Sequence, residues 1–284
     1  MKKRLAWIGT GVMGYPMVNH LSAAGYTCRV YNRSLEKTQG IQAEVCLSIK
    51  EVVQDADVIF TMVGYPKDVE STYAEIFAYA PKGALCIDMT TSDPNLAKRL
   101  SLEAKQKGLR LLDAPVSGGD SGARNATLTI MVGGDERDFI EAKPLFEHLG
   151  KSITHIGPAG SGQHCKMANQ IVVAGNLAAV AEAIRYAQRV GLDPQQMIET
   201  IQGGAASSWQ LINNGPKMIK QDYAPGFYIH HFIKDLTLVQ ATMAPQKAPI
   251  ADYVLDQLKK QVEHQPEDAY LGTQAFIKGF NETE

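Results

Sequence analysis

The sequence predicts an α/β chain in two parts: a doubly wound, mostly parallel sheet, then an all-α domain, the two joined by a long helix. Three observations predict it. Through the first half, short apolar runs that read as strands alternate with segments of helical spacing. After Gly162 the strand signals stop and helical periodicity takes over. Between the two lies a stretch, 167–181, without one charged residue, too apolar to form a surface helix along its whole length. The expected division is a sheet domain over 1–162 and a helical domain over 163–284.

The first element, L-A-W-I-G at 5–9, is a short strand that runs into the turn Gly9-Thr10-Gly11-Val12-Met13-Gly14, and helical spacing follows to residue 24. A second strand is expected over 26–31. A G-x-G-x-x-G turn between strand and helix has a mechanism. Its first glycine makes the tight turn, its second lets backbone approach a pyrophosphate, and its third lets helix and strand pack closely. This Rossmann-type unit is therefore expected to hold a dinucleotide on residues 9–14. The second strand ends in Asn32-Arg33-Ser34, with no carboxylate to accept from the ribose 2′-hydroxyl of NAD. Arg33 offers a planar cation to a 2′-phosphate, aided by Asn32 and Ser34. NADP is the expected cofactor, with NAD as the alternative.

The same rhythm continues with a strand over 57–63, a turn at 64–66, a helix over 68–79 and a strand over 84–89. Ligands of such sheets lie beyond the carboxyl ends of the strands, so Met62, Val63 and Thr91 are expected beside the cofactor. The run 109–115 leads into Val116-Ser117-Gly118-Gly119. Its glycines could expose backbone N–H groups as a nest for a carboxylate, or form a flexible hairpin loop before a strand over 127–132; both readings stand at this point. A strand over 152–156 closes the half.

The segment G-Q-H-C-K-M-A-N-Q at 162–170 opens the second half. In a helix, Lys166, Asn169 and Gln170 stand at i, i+3 and i+4 and share one face. That puts one ammonium and two amides at the mouth of an apolar helix. Helices are expected over 164–190, 194–202, near 235–243 and over 250–263, with Lys234 at a helix opening.

Composition excludes several classes. The 284 residues carry a net charge of −2 with both signs scattered, so no basic surface for nucleic acid is expected. The four cysteines show no C-x-x-C spacing, which fits a reducing compartment, and no metal site is expected. M-K-K-R passes directly into a strand without the pattern of a secretory signal, so a cytoplasmic protein is expected. The stretch 167–181 falls short of the ~20 apolar residues of a membrane span, and no membrane partner is expected.

Together, G-T-G-V-M-G-Y-P-M (9–17), D-A-P-V-S-G-G (113–119), T-L-T-I-M-V-G-G (127–134), G-S-G-Q-H-C-K-M-A-N-Q (160–170), S-W (208–209) and K-D-L (234–236) resemble the β-hydroxyacid dehydrogenase family. That family includes 3-hydroxyisobutyrate dehydrogenase, tartronate semialdehyde reductase and glyoxylate/succinic semialdehyde reductase. The resemblance implies that Lys166 is the acid/base and that Asn169 orients the substrate or that lysine. It implies that Ser117, Gly118 and Gly119 hold the substrate carboxylate and that Lys234 approaches the cofactor. It also implies a homodimer or homotetramer built through the helical domain. The implied activity is reversible hydride transfer between NADPH and a small aldehyde acid or 3- or 4-hydroxy acid. The chain departs from many relatives at Ala126, where they have Gly, and at Gln170, where they have Asn. Two alternatives remain: a non-catalytic dinucleotide-binding regulatory or interaction protein, and an imine reductase, a class that usually lacks the lysine.

Overall fold

The computed structural model describes residues 2–280. Its first part is a sheet assembled from β1 (Arg4–Ile8), β2 (Thr27–Tyr31), β3 (Glu44–Val45), β4 (Val58–Thr61), β5 (Leu85–Asp88), β6 (Arg110–Asp113), β7 (Val116–Ser117), β8 (Leu128–Gly133) and β9 (Gly150–Gly157). The strands lie in the order β3-β2-β1-β4-β5-β6-β8-β7, and β9 pairs with β8. Pairing is parallel from β3 to β6 and antiparallel where β8 meets β6 and β7. The strand order reverses between β1 and β4, which is where an open α/β sheet forms its ligand crevice.

The reason for continuous apolar strands is plain in β1. Leu5 and Trp7 enter the core on one face of the sheet, Ala6 and Ile8 the core on the other, so no alternation with polar residues is possible. Trp7 stacks on Phe60 of β4 at 5.1 Å. The helices α1 (Gly14–Ala23), α2 (Ile49–Val53), α3 (Pro66–Tyr79), α4 (Pro94–Gln106), α5 (Gly119–Arg124) and α6 (Glu136–Phe146) connect the strands. Short acids start several of them: Asp93 accepts from Asn95 N in α4, and Asp135 from Arg137 N in α6. Helix α3 begins two residues before the expected 68, because proline at the first turn sacrifices no helical hydrogen bond.

The second part contains α7 (Ser161–Arg189), α8 (Pro194–Ile201), a π-type turn over Gln210–Asn214, α9 (Gly215–Ile219), α10 (Ile229–Met243) and α11 (Pro249–His264), ending in 3-10 turns. By length and composition α7 could cross a membrane. Its Met167, Ala174, Leu177, Val180, Ala181 and Ile184 instead pack in the apolar core of the helical part, with Phe232, Leu236 and Leu255. The compact units part after Lys166, against the expected 162, because the first turn of α7 is bonded into the sheet unit.

Candidate active site

The three glycines of the turn meet three different surroundings. Gly9 has φ 98°, and a Cβ there would strike the Met62 carbonyl. A Cβ on Gly14 would strike the Gly9 carbonyl oxygen, the same oxygen that accepts from Trp7 Nε1 at 2.8 Å. At Gly11 a Cβ would meet nothing within 4 Å, so its backbone faces open space. The Thr10 hydroxyl is buried and has no hydrogen-bond partner among the described residues. Room beside Gly11 and an uncommitted hydroxyl suit the pyrophosphate of a dinucleotide.

Asn32 has a structural part in addition to the one expected of it. Its Oδ1 accepts from Thr10 N at 2.9 Å and its Nδ2 donates to Ser34 O at 2.8 Å, so it braces the glycine turn against the end of β2. Arg33 is exposed, with Asp68 of α3 3.9 Å from its guanidinium. Val12 is exposed, and Met13 packs against the core. Met62 N donates to Ile8 O at 2.9 Å and Val63 N to the Thr90 hydroxyl at 3.0 Å, which sets both beside the turn; Thr91 is half-buried just beyond β5.

Two buried carboxylates lie at the strand ends. Asp88 Oδ1 accepts from the Thr61 hydroxyl at 2.8 Å and from Thr90 N at 3.1 Å. Burial pushes its carboxyl up to about 6 against the pull of those bonds. Asp113 is wholly buried; its Oδ1 accepts from Gly160 N at 2.7 Å and its Oδ2 from Gln163 N at 2.9 Å. Burial raises it to about 6 as well, opposed by the backbone N–H groups at the head of α7. Gln163 completes the anchorage, accepting from Ser92 N at 2.9 Å and donating to Thr90 O at 2.7 Å. Lys166 follows three residues later and is only 6 % exposed. It is no solvated surface lysine.

The glycine segment after β6 has the hairpin of one of its two readings, without the flexibility. Ser117 pairs antiparallel with Thr129, as a hairpin requires. The connection is α5, entered through Gly118 (φ 132°) and Gly119 (φ 62°), so it is a short helix and no flexible loop. Ala126 has φ 52°, a left-handed conformation that glycine adopts without strain, which is the physical reason a glycine would suit this position.

In the helical unit, Asn169 Nδ2 donates to Gln170 Oε1 at 2.8 Å, and Gln170 Nε2 donates to Asp235 Oδ2 at 2.7 Å. Asp235 is 2 % exposed, and Lys234 Nζ lies 2.8 Å from its other oxygen. The two amides expected on α7 are thereby joined to the K-D-L segment of α10. Burial, with His230 and Lys234 adding, pushes His231 down to about 4, so its imidazole is neutral at working pH.

Comparison with known proteins decides the family. Residues 4–157 match the model described as the NAD binding domain of 6-phosphogluconate dehydrogenase, and 160–269 the model described as NAD-binding of NADP-dependent 3-hydroxyisobutyrate dehydrogenase. The chain belongs to the β-hydroxyacid dehydrogenase family. An uncharacterised oxidoreductase of Bacillus subtilis is 45 % identical over 98 % of this chain and 99 % of its own. The 2-hydroxy-3-oxopropionate reductase of Escherichia coli is 42 % identical, over 83 % of this chain and 82 % of its own. The structure of Mycobacterium tuberculosis 3-hydroxyisobutyrate dehydrogenase with L-serine superposes with TM-score 0.90, at 33 % identity, over 99 % of both chains. The chain is an NAD(P)-dependent oxidoreductase of this type, which removes the non-catalytic alternative.

Within this β-hydroxyacid dehydrogenase, sequence reasoning passed over Asp113, Gln163 and Asp235. Each stands inside or beside a motif already singled out, D-A-P-V-S-G-G, G-Q-H-C-K and K-D-L. A carboxylate that closes an apolar strand, as Asp113 and Asp88 do, was the available signal, since a buried charge needs partners.

Proposed function

We propose that this enzyme interconverts a small aldehyde acid and its 3- or 4-hydroxy acid, of the 3-hydroxyisobutyrate, tartronate semialdehyde, glyoxylate or succinic semialdehyde class, with NADPH preferred over NADH. The observation that carries the reading is Lys166: a buried lysine three residues beyond Gln163, in the opening of α7 that Asp113 and Gln163 fix to the sheet unit by four hydrogen bonds. When bound, the reduced nicotinamide supplies hydride. Lys166 Nζ donates the proton as the carbonyl oxygen of the substrate becomes an alkoxide, and its charge stabilises that oxygen. Asn169, braced through Gln170, orients the substrate. Ser117, Gly118 and Gly119 take the substrate carboxylate with a hydroxyl and backbone N–H groups.

Residues 9–14 would hold the pyrophosphate, and Met62, Val63 and Thr91 would border the cofactor, with Lys234 as a further contact. Arg33 and Ser34 would take the 2′-phosphate. The complex of the mycobacterial relative with L-serine supports a short 3-hydroxy acid skeleton. The exposed apolar side chains Val172, Tyr186, Val190 and Leu192 support self-association as a homodimer or homotetramer. The free cysteines among the described residues support a cytoplasmic setting. The test is loss of nicotinamide absorbance across a panel of short aldehyde acids, with NADPH and NADH side by side. Turnover of at least one, faster with NADPH, is expected; no turnover of any, in either direction, refutes the substrate class.

A further inference from the structure

The end of β2 lacks a carboxylate in sequence, yet the fold brings one there from α3. Asp68 Oδ1 lies 3.9 Å from Arg33 Nη1. Its other oxygen accepts from Tyr65 N at 3.0 Å, so the side chain is fixed by the helix start. A Cβ on Gly64 would come within 3.1 Å of that oxygen, and the glycine leaves the carboxylate its place. The Arg33 side chain is 89 % exposed and that of Asp68 25 %. An exposed pair at this distance adds little to stability, so its consequence is to be sought in what approaches it. β2, β1 and β4 are neighbours in the sheet, and α3 follows β4, so both groups flank the turn at the point where strand order reverses.

We propose that Asp68 is a specificity-determining residue that restrains the preference for NADP and keeps NAD usable. The proposal rests on the reading that the adenosine ribose lies against Arg33. With NAD, the Asp68 carboxylate accepts from the ribose 2′-hydroxyl while Arg33 stays paired with it, the part an acid at the end of β2 plays in other dinucleotide folds. With NADP, Arg33 turns to the 2′-phosphate. A phosphomonoester carries about −1.5 to −2 charges at pH 7, and Asp68, held in place by its bond to Tyr65 N, then stands as a like charge beside it. One residue so favours one cofactor and opposes the other.

The experiment is a titration of NADPH and NADH binding by nicotinamide fluorescence, without substrate, on the wild type, Asp68→Asn and Arg33→Ala. Asparagine keeps an oxygen for Tyr65 N, so the start of α3 survives; Asp68→Ser, whose hydroxyl can accept the same bond, is the second variant and must shift the same way. For both, the ratio of NADH to NADPH dissociation constants should rise about three- to tenfold, and the rise should shrink as salt is raised. A ratio unchanged within twofold, or moved toward NADH, overturns the proposal. Arg33→Ala separates the two layers: weaker NADPH binding there with no effect of Asp68→Asn sinks only the role of Asp68. Unchanged NADPH binding in Arg33→Ala sinks the placement of the 2′-phosphate and the proposal with it.

Discussion

Replacing Gln170 by leucine tests how the helical unit presents Asn169. The perturbation removes two hydrogen bonds, one from Gln170 Nε2 to the buried Asp235 carboxylate and one from Asn169 Nδ2 to Gln170 Oε1. A hydrogen bond to a charged group contributes about 1.5–3 kcal/mol. The bond from Asn169, which is half-buried, is the smaller loss because water can replace it. A net cost of about 2 kcal/mol follows, and at ~2–4 °C per kcal/mol for large domains the Tm should fall by about 4–8 °C. Asn169 would then rotate freely, and misplacement of an orienting group on the ångström scale costs up to ~100-fold in rate. The assay pairs thermal melts with steady-state kinetics and NADPH titration: kcat should fall on the order of 10- to 100-fold while the NADPH dissociation constant stays within about threefold. Gln170→Asn, one methylene shorter, should fall between. A Tm within about 1 °C of the wild type together with kcat within about twofold would refute the reasoning.

Two further predictions follow from the sheet unit. Asp88 has its carboxyl raised from 3.8 to about 6 by burial, so its contribution to stability is present below the unfolded value and lost as pH rises through about 6. Asp88→Asn keeps an acceptor for Thr61 and Thr90 and removes the buried charge. The stability of the variant relative to wild type should climb between pH 4.5 and 7.5 by about 2 kcal/mol, the part of the full ~3 kcal/mol shift (at ~1.4 kcal/mol per pH unit) that falls in this window, and a gap that ignores pH would contradict this. Gly14→Ala and Gly11→Ala should divide the two duties of the turn. The first puts a methyl against the Gly9 carbonyl oxygen and should lower both Tm and NADPH affinity; the second meets open space and should leave Tm within about 1 °C while weakening NADPH at least about tenfold. Equal effects of the two on Tm would show that the turn is not built this way.

Much of the fold was legible because it rests on local signals. Continuous apolar runs marked β1, β4 and β5, buried on both faces, and the glycine turn had to follow a strand and precede a helix. Lys166, Asn169 and Gln170 could be aligned from helical spacing alone. What sequence could not supply were pairings between distant positions. Asp113 meets Gly160 and Gln163 across about fifty residues, Gln170 meets Asp235 across sixty-five, and Arg33 meets Asp68 from a different βα unit. Spacing carries no record of such contacts. Asn32 shows the same limit from the other side: its type suited phosphate recognition, and only the fold shows that its amide also ties Thr10 N to Ser34 O.

The central claim is that Lys166 transfers the proton. Its most direct measurement is steady-state turnover of Lys166→Ala with NADPH and the best aldehyde acid of the panel, alongside NADPH binding by fluorescence. General acid catalysis typically contributes ~10²- to 10⁴-fold, so kcat should fall by that order while NADPH still binds within about threefold of the wild type. Turnover surviving within a few fold in a variant that binds NADPH normally would contradict the account.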